Sequence, residues 1–199
     1  AAMFVSMENF AYHNPLHAGQ LLDLGGALQA DKSLPTITPL VFTEIGWREL
    51  PTADTEVLQS PISRDRDGKW TEIQGMVHAV NSNGTLSVTG PREPMAVWLG
   101  HTYSKELAHY VDAKVRVWGV LSLSMFPKPV LLVPSRSFIE VDETAAPDLF
   151  SAPLRQIADL KHETADSSLL HRIKLIGEVT LQDAEWFFVQ DRSGGIRVQ

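Results

Sequence analysis

Hydrophobic and polar residues alternate along several short stretches of the chain. In the clearest of them, residues 69–80, Thr71, Ile73, Gly75 and Val77 share one face. A period of two residues is typical of a strand with one buried face. Similar stretches predict strands at 85–89, 95–99, 111–123, 130–141, 173–180, 186–189 and 196–198. The pattern therefore predicts a protein built mainly of β-strands.

Two short segments have helical spacing instead. Residues 104–110 predict a short helix between the third and fourth strands of the middle region. Pro153 suits the first turn of a helix, and Leu154, Ile157 and Leu160 follow it at helical spacing. The second helix is therefore predicted ahead of the last group of strands.

The order of elements in the middle region is three strands, a helix and two strands. A turn at 81–84 joins the first two strands, and Gly75 and Gly119 lie inside the first and fourth, where a barrel coils sharply. This order predicts an all-β fold with short helices, a five-stranded OB-like Greek-key barrel. A β-sandwich is the competing interpretation, but it does not usually place a helix between its third and fourth strands.

The chain also contains an internal repeat. At an offset of 102 residues, Pro51 aligns with Pro153, and Ile73 and Gly75 align with Leu175 and Gly177. We predict tandem repeats with incomplete flanking copies. Residues 1–50 would be the C-terminal part of an OB-like repeat, 51–147 a linker with a complete barrel, and 148–199 a linker helix with the N-terminal part of a further repeat.

The two ends of the chain resemble each other, because residues 194–199 match residues 1–6. We therefore expect the chain to be a fragment of something longer. We also expect the front half at 165–199 and the back half at 1–50 to complement each other, within one chain or between two, which would make a homodimer possible.

Composition and charge exclude several classes of protein. The chain has no cysteine, so neither a disulfide scaffold nor a cysteine-ligated zinc site is possible. Its net charge of −7 argues against nonspecific binding to nucleic acid. Residues 1–63 carry −5 and residues 143–199 carry −3, whereas residues 64–142 carry +1. The middle region therefore lacks the basic surplus that nucleic-acid grooves normally have.

The residues that could carry chemistry do not form a catalytic pattern. His13 and His17 have a ligand-like spacing of four, but Pro15 between them opposes the helix that would align their rings. Asp65 and Asp67 flank Arg66 in what we interpret as a polar turn. Neither a phosphate-binding loop nor a nucleophile elbow occurs in the sequence. We expect no catalytic residue, no metal and no cofactor in this chain.

Large aromatic residues out of phase with the core are the best candidates for a contact surface. Trp118 and Trp98 both oppose the aliphatic face of their strands, and Tyr103 follows nearby. We expect Ile176 to be the counterpart of Trp118 in the next repeat. These four residues are the candidate surface for a ligand or a partner, and packing between neighbouring repeats is the alternative.

Two stretches of the chain resemble a known family. Residues 187–198 read FFVQDRSGGIRV and residues 172–180 read RIKLIGEVT. They are similar to the tandem OB-like repeats ahead of the transmembrane helix and kinase core in a class of bacterial sensor histidine kinases. Residues 19–26 and the linker at 150–155 fit the same pattern, although Ala1 and Ala2 stand where the family usually has Gly-Gly. The phosphoacceptor histidine and the ATP-binding motifs of the kinase are absent from the sequence.

The resemblance implies a non-catalytic sensory or ligand-binding module from the periplasmic, extracytoplasmic portion of an inner-membrane protein. Its implied partners are a small ligand or a protein and the neighbouring OB-like repeats, with the membrane reached only through missing parts of the parent. Two alternatives stay open. One is an OB-fold module that binds single-stranded nucleic acid by stacking on Trp98, Tyr103, Trp118 and Phe126. The other is a structural spacer or protein-interaction domain.

Overall fold

The computed structural model describes residues 4–7, 15–29, 35–55, 62–81, 83–89, 94–100, 104–145, 152–162 and 173–198. These residues form three separate sheets and a few short helices. The strands are β1 (Phe4–Val5), β2 (Gln20–Gln29), β3 (Thr36–Trp47), β4 (Trp70–Val80), β5 (Thr85–Thr89), β6 (Met95–Trp98), β7 (Lys114–Ser122), β8 (Val130–Leu132), β9 (Ile139–Glu143), β10 (Glu178–Gln182), β11 (Phe187–Gln190) and β12 (Gly195–Val198). The α-helices are α1 (Ser104–Leu107) and α2 (Ile157–His162).

The central sheet closes on itself. Its strands run in the order β4-β5-β6-β8-β7, and β7 pairs back onto β4 over seven residues, from Trp70 opposite Val120 to Met76 opposite Lys114. The β6–β8 pair is parallel and the other pairs are antiparallel. This is the five-stranded OB-like Greek-key barrel that the sequence predicted.

The fifth strand of the barrel differs from the prediction, because the stretch 130–141 is not one strand. β8 lies beside one end of β7 and β9 beside the other end. Pro134 and a 3-10 helix at Arg136–Phe138 separate them. Proline has no backbone N–H to give to a ladder, so the strand breaks where proline enters it.

The barrel core consists of the inward-facing residues of every strand together with a plug from the helix. Ile73, Val117 and Leu121 are among the fully buried side chains. Leu107 of α1 and Tyr110 of the following 3-10 helix join the same cluster. The helix between the third and fourth strands thus closes the barrel at one end.

The two flanking sheets each have three strands. In the N-terminal sheet the order is β1-β3-β2, with β1 parallel to β3 and β2 antiparallel to it. In the C-terminal sheet β10, β11 and β12 form an antiparallel meander. The division of the chain at residues 50 and 147 stays a prediction.

The C-terminal elements begin later than the sequence predicted. The ladder of β10 starts at Glu178 rather than at residue 173, because no strand in the described part of the chain pairs with residues 173–177. Helix α2 starts at Ile157 rather than at Pro153, because Leu154 forms a parallel bridge with Lys174. The linker that enters the central barrel makes a similar bridge, from Asp54 to Thr71.

Candidate functional site

A groove of about 550 Å³ lies at one end of the central barrel, where β6, β7 and β8 end and the chain enters β4. Outward-facing residues of three adjacent strands form its apolar floor: Trp98 of β6, Leu132 of β8 and Val120 of β7. Met125, from the loop between β7 and β8, forms part of its wall and is half exposed. The groove is therefore a concave apolar surface with one aromatic ring in it.

The aromatic ring of the groove has an aromatic neighbour. The ring centroids of Trp98 and Phe126 are 6.3 Å apart and their planes are inclined at 54°. Tilted aromatic pairs at this separation are attractive. The pair ties the loop between β7 and β8 to the strand that carries Trp98.

Two polar side chains line the same groove. Ser122 is buried, and its Oγ has no hydrogen-bond partner in the part of the chain that the structure describes. Asp67 is also buried, and one of its carboxylate oxygens accepts the backbone N–H of Leu123 at 2.8 Å. A buried hydroxyl without a partner costs free energy that a ligand can recover by bonding to it. The groove thus combines an apolar floor with a few polar groups, as small-molecule sites do.

Trp118 lies on a different part of the barrel surface. Its indole N–H donates to a carboxylate oxygen of Glu72 at 2.9 Å, and the guanidinium of Arg116 lies 5.9 Å from the ring centroid. Arg116 also pairs with Asp142 at 2.8 Å. Trp118 does not line the groove, and its polar edge is already bonded within the barrel.

Of the other two predicted surface residues, Ile176 does not line the groove. Tyr103 lies outside the described residues. Ile176 precedes β10 and has 66% of its surface exposed. The expectation that Ile176 corresponds to Trp118 is wrong, because Ile176 precedes Gly177 as Gln74 precedes Gly75, and those two glycines are equivalent. Among the predicted surface residues that the structure describes, Trp98 alone lines the groove.

The sequence did not indicate the rest of the groove. Asp67 was interpreted only as a turn residue, and it does end a 3-10 helix at Arg64–Arg66. Val120 and Leu132 face outward, and their apolar character on the solvent side was the available signal. No local pattern could predict that the turn before β4 lies against the loop after β7, because these two segments are far apart in the sequence.

The C-terminal hairpin contains a separate polar cluster. The carboxylate of Asp191 accepts hydrogen bonds from the backbone N–H groups of Ser193 and Gly194 and, at 2.9 Å, from that of Ile157. The hydroxyl of Ser193 also donates to Asp191 and is the main cause of a lowered pKa for Asp191, about 2 against the usual 3.8. The turn between β11 and β12 thereby holds the start of helix α2, and Ile157 is fully buried.

None of the helices in the described residues is both long and apolar enough to cross a membrane. Among the same residues, no three histidine or acidic side chains are grouped as metal ligands would be. His17 is described and belongs to no such group, whereas His13 lies outside the described residues.

The central barrel places the chain in the class of OB-like barrel proteins. No family model and no curated protein matches the sequence. Among solved structures, the hypothetical protein YgiW from E. coli is similar to 46% of this chain over 90% of its own length. The sequence identity is 15% and the TM-score is 0.32, and both values are too low for this likeness to indicate a function.

Proposed function

We propose that this chain is a non-catalytic binding module whose central barrel takes a small ligand in the groove beside Trp98. The observation that carries the proposal is the combination of an apolar floor, an aromatic pair and a buried hydroxyl without a partner. In line with the family resemblance, the module would belong to the extracytoplasmic sensory region of a sensor histidine kinase.

The groove favours a ligand with an apolar or aromatic body and a hydrogen-bond donor. Trp98, Leu132 and Met125 would cover the apolar body, and Ser122 Oγ would bond to its polar group. The carboxylate of Asp67 adds negative charge to the same wall and disfavours anionic ligands. We therefore expect an aromatic amine or alcohol to bind more tightly than an aromatic acid of the same size.

Titration with tyramine and with 3-(4-hydroxyphenyl)propanoate tests the proposal, with binding followed by NMR shifts of tryptophan indole and backbone amide signals. We expect tyramine to shift the signals of Trp98 and Leu123, and the acid to shift them less. Trp98→Ala should abolish the response, and the matched variant Trp118→Phe should leave it intact. Shifts that spread evenly over the surface, or that survive in Trp98→Ala, would count against the groove as a site.

The nucleic-acid alternative requires a separate titration. Trp98 and Phe126 could also stack on bases. Binding of an oligothymidine that weakens steeply with added salt would favour that alternative over the small ligand. We expect no such binding, because residues 64–142 carry a net charge of only +1 and the flanking segments are acidic.

The sensory context is a proposal about the parent protein. It predicts that the open reading frame of this chain also encodes a transmembrane helix and a kinase core. A reading frame that lacks a kinase core would overturn the sensory assignment, and the groove could still bind its ligand.

A further inference from the structure

The central barrel contains one methionine whose thioether is accessible from solvent. Met125, in the loop between β7 and β8, has 51% of its surface exposed. The other two methionines of the barrel, Met76 and Met95, are each only 3% exposed. The chain has no cysteine, so no thiol of its own reacts first with an oxidant. Within the barrel, an oxidant therefore meets the sulfur of Met125 first.

Met125 is also held beside the ligand groove. Its side chain lines the groove together with Trp98 and Leu132. The next residue, Phe126, packs against the ring of Trp98, with the ring centroids 6.3 Å apart, and this contact holds the loop at the groove. Methionine is flexible and polarisable and fits irregular apolar surfaces. As a thioether, Met125 therefore extends the apolar floor onto the wall of the groove.

We propose that Met125 is an oxidation site at which a peroxide controls the binding of the ligand in the groove. The effect on the ligand rests on the proposed function, whereas the selectivity of the oxidation rests on exposure alone. The oxidant belongs to the class of small uncharged hydroperoxides, which the carboxylate of Asp67 in the same groove does not repel.

The reaction transfers one oxygen atom to sulfur. A lone pair of the Met125 sulfur attacks one oxygen of hydrogen peroxide, so the S–O bond forms as the O–O bond breaks. The hydroxide that leaves takes the proton of the transferred oxygen and becomes water. Sulfur is oxidised by two electrons and the peroxide is reduced by two. The product is methionine sulfoxide, a polar side chain in place of an apolar one.

The sulfoxide changes the groove in two ways. Its S–O dipole forms hydrogen bonds with water, so covering it with the apolar body of a ligand costs free energy. Its oxygen is also a hydrogen-bond acceptor, in a groove where the hydroxyl of Ser122 has no partner among the described residues. The sulfoxide thus competes with the ligand for the group that we assign to ligand binding. Oxidation therefore weakens binding.

The modification is reversible, which makes it suitable for regulation. Methionine sulfoxide reductases return the sulfur to the thioether, with two thiols oxidised to a disulfide and the oxygen released as water. The two epimers of the sulfoxide need different enzymes, so complete reversal requires both. The exposure of Met125 gives these enzymes an access that the buried Met76 and Met95 do not offer.

Peptide mapping by mass spectrometry, after timed exposure to hydrogen peroxide, tests the selectivity. In the folded chain we expect Met125 to form sulfoxide at least about tenfold faster than Met76 and Met95. In urea, where all three are exposed, the rates should become similar. Equal rates in the folded chain would overturn the proposal. A lead of Met125 that persists in urea would also count against it, because exposure would not be its cause.

The affinity for tyramine before and after oxidation tests the consequence. In the unmodified chain, peroxide should weaken binding by about tenfold, and both reductases with dithiothreitol should restore it. Met125→Leu has no sulfur at this position, so peroxide should leave its own affinity unchanged. Met7→Leu is the matched control, since it removes a methionine outside the barrel and peroxide should still weaken binding. Weakening by peroxide in Met125→Leu, or none in the unmodified chain, would overturn the proposal.

Failure of this proposal and failure of the proposed function give different results. If tyramine does not bind before oxidation, the ligand assignment is wrong, and the indole signal of Trp98 then reports the oxidation without a ligand. We expect oxidation to shift that NMR signal in the unmodified chain and not in Met125→Leu, because Met125 and Trp98 line the same groove. An indole signal that oxidation does not move would overturn the regulatory role, even where tyramine binds.

Discussion

The central barrel and the C-terminal sheet begin with similar strands, but the first forms a closed barrel and the second an open sheet. Both have a linker bridge, a glycine that lets the second strand approach closely, and three strands in a meander. In the centre, β7 pairs with β4, and the inward side chains are buried. In the C-terminal sheet no strand of the described residues takes that place, and Val179 is exposed. Closure of the barrel depends on a fourth strand at the right edge, and local sequence alone does not supply it.

The largest expected difference is between truncating a leucine of the central barrel and one of the N-terminal sheet. Leu121 is fully buried, so Leu121→Ala should lower the free energy of unfolding by about 3 kcal/mol. Leu28 of β2 is mostly exposed, and Leu28→Ala should cost less than about 1 kcal/mol. Urea unfolding of both variants checks this comparison. Equal losses would mean that the side chain of Leu28 is covered in solution.

Glycine substitutions should have the next largest effect. Gly75→Ala places a β-carbon on the carbonyl of Thr89, and we expect a loss of about 2 kcal/mol from the strain. Gly25→Ala is the matched control, since its β-carbon would meet only Val41 at 3.7 Å, an ordinary contact. Thermal unfolding should show a lower midpoint for the first variant and almost no change for the second.

The Asp191 turn should produce a local effect confined to the C-terminal unit. Asp191→Ala removes the acceptor for the N–H of Ile157, so that amide should exchange with solvent faster while the central amides keep their protection. Asp191→Asn is the conservative control and should lose less protection. If the central barrel loses protection as well, the two units are more tightly coupled than this account holds.

The same carboxylate should make the turn sensitive to acid. Hydrogen bonds to its ionised form lower the pKa of Asp191 in the folded chain to about 2. A depressed pKa gives stability that is fully present above the usual value near 3.8 and is lost as pH falls toward about 2. NMR titration of the Ser193 and Gly194 amides should therefore show a midpoint near 2. A midpoint near 3.8 would mean that these bonds do not persist in solution.

The smallest effect is expected at an exposed ion pair. At the edge of the barrel, the Nζ of Lys114 lies 3.0 Å from the Oε1 of Glu143, and both side chains are partly exposed to solvent. Such pairs contribute little, so Lys114→Ala should change the free energy of unfolding by less than about 0.5 kcal/mol. A loss comparable to that of Leu121→Ala would show that closure of the barrel depends on this edge.

The sequence predicted the barrel because alternation, the 81–84 turn and the glycines are local signals. It could not predict where β10 begins, since that depends on whether a partner strand lies beside residues 173–177. Alternation predicted one strand from Val130 to Val141, although Pro134 interrupts the stretch and separates two strands in the structure. The alternation along β6 places Trp98 on the outward face, so the sequence could predict that it is available for contact. It could not predict that Asp67 and Ser122 line the same groove, because this depends on contacts between segments that are distant in the sequence.

Amide hydrogen exchange tests the central claim most directly. The amides of Thr71, Ile73 and Gly75, which face β7, should exchange at least about a hundredfold more slowly than those of Ile173, Leu175 and Gly177. Equal exchange in the two sets would contradict the claim that pairing with β7 closes the central barrel and protects its first strand.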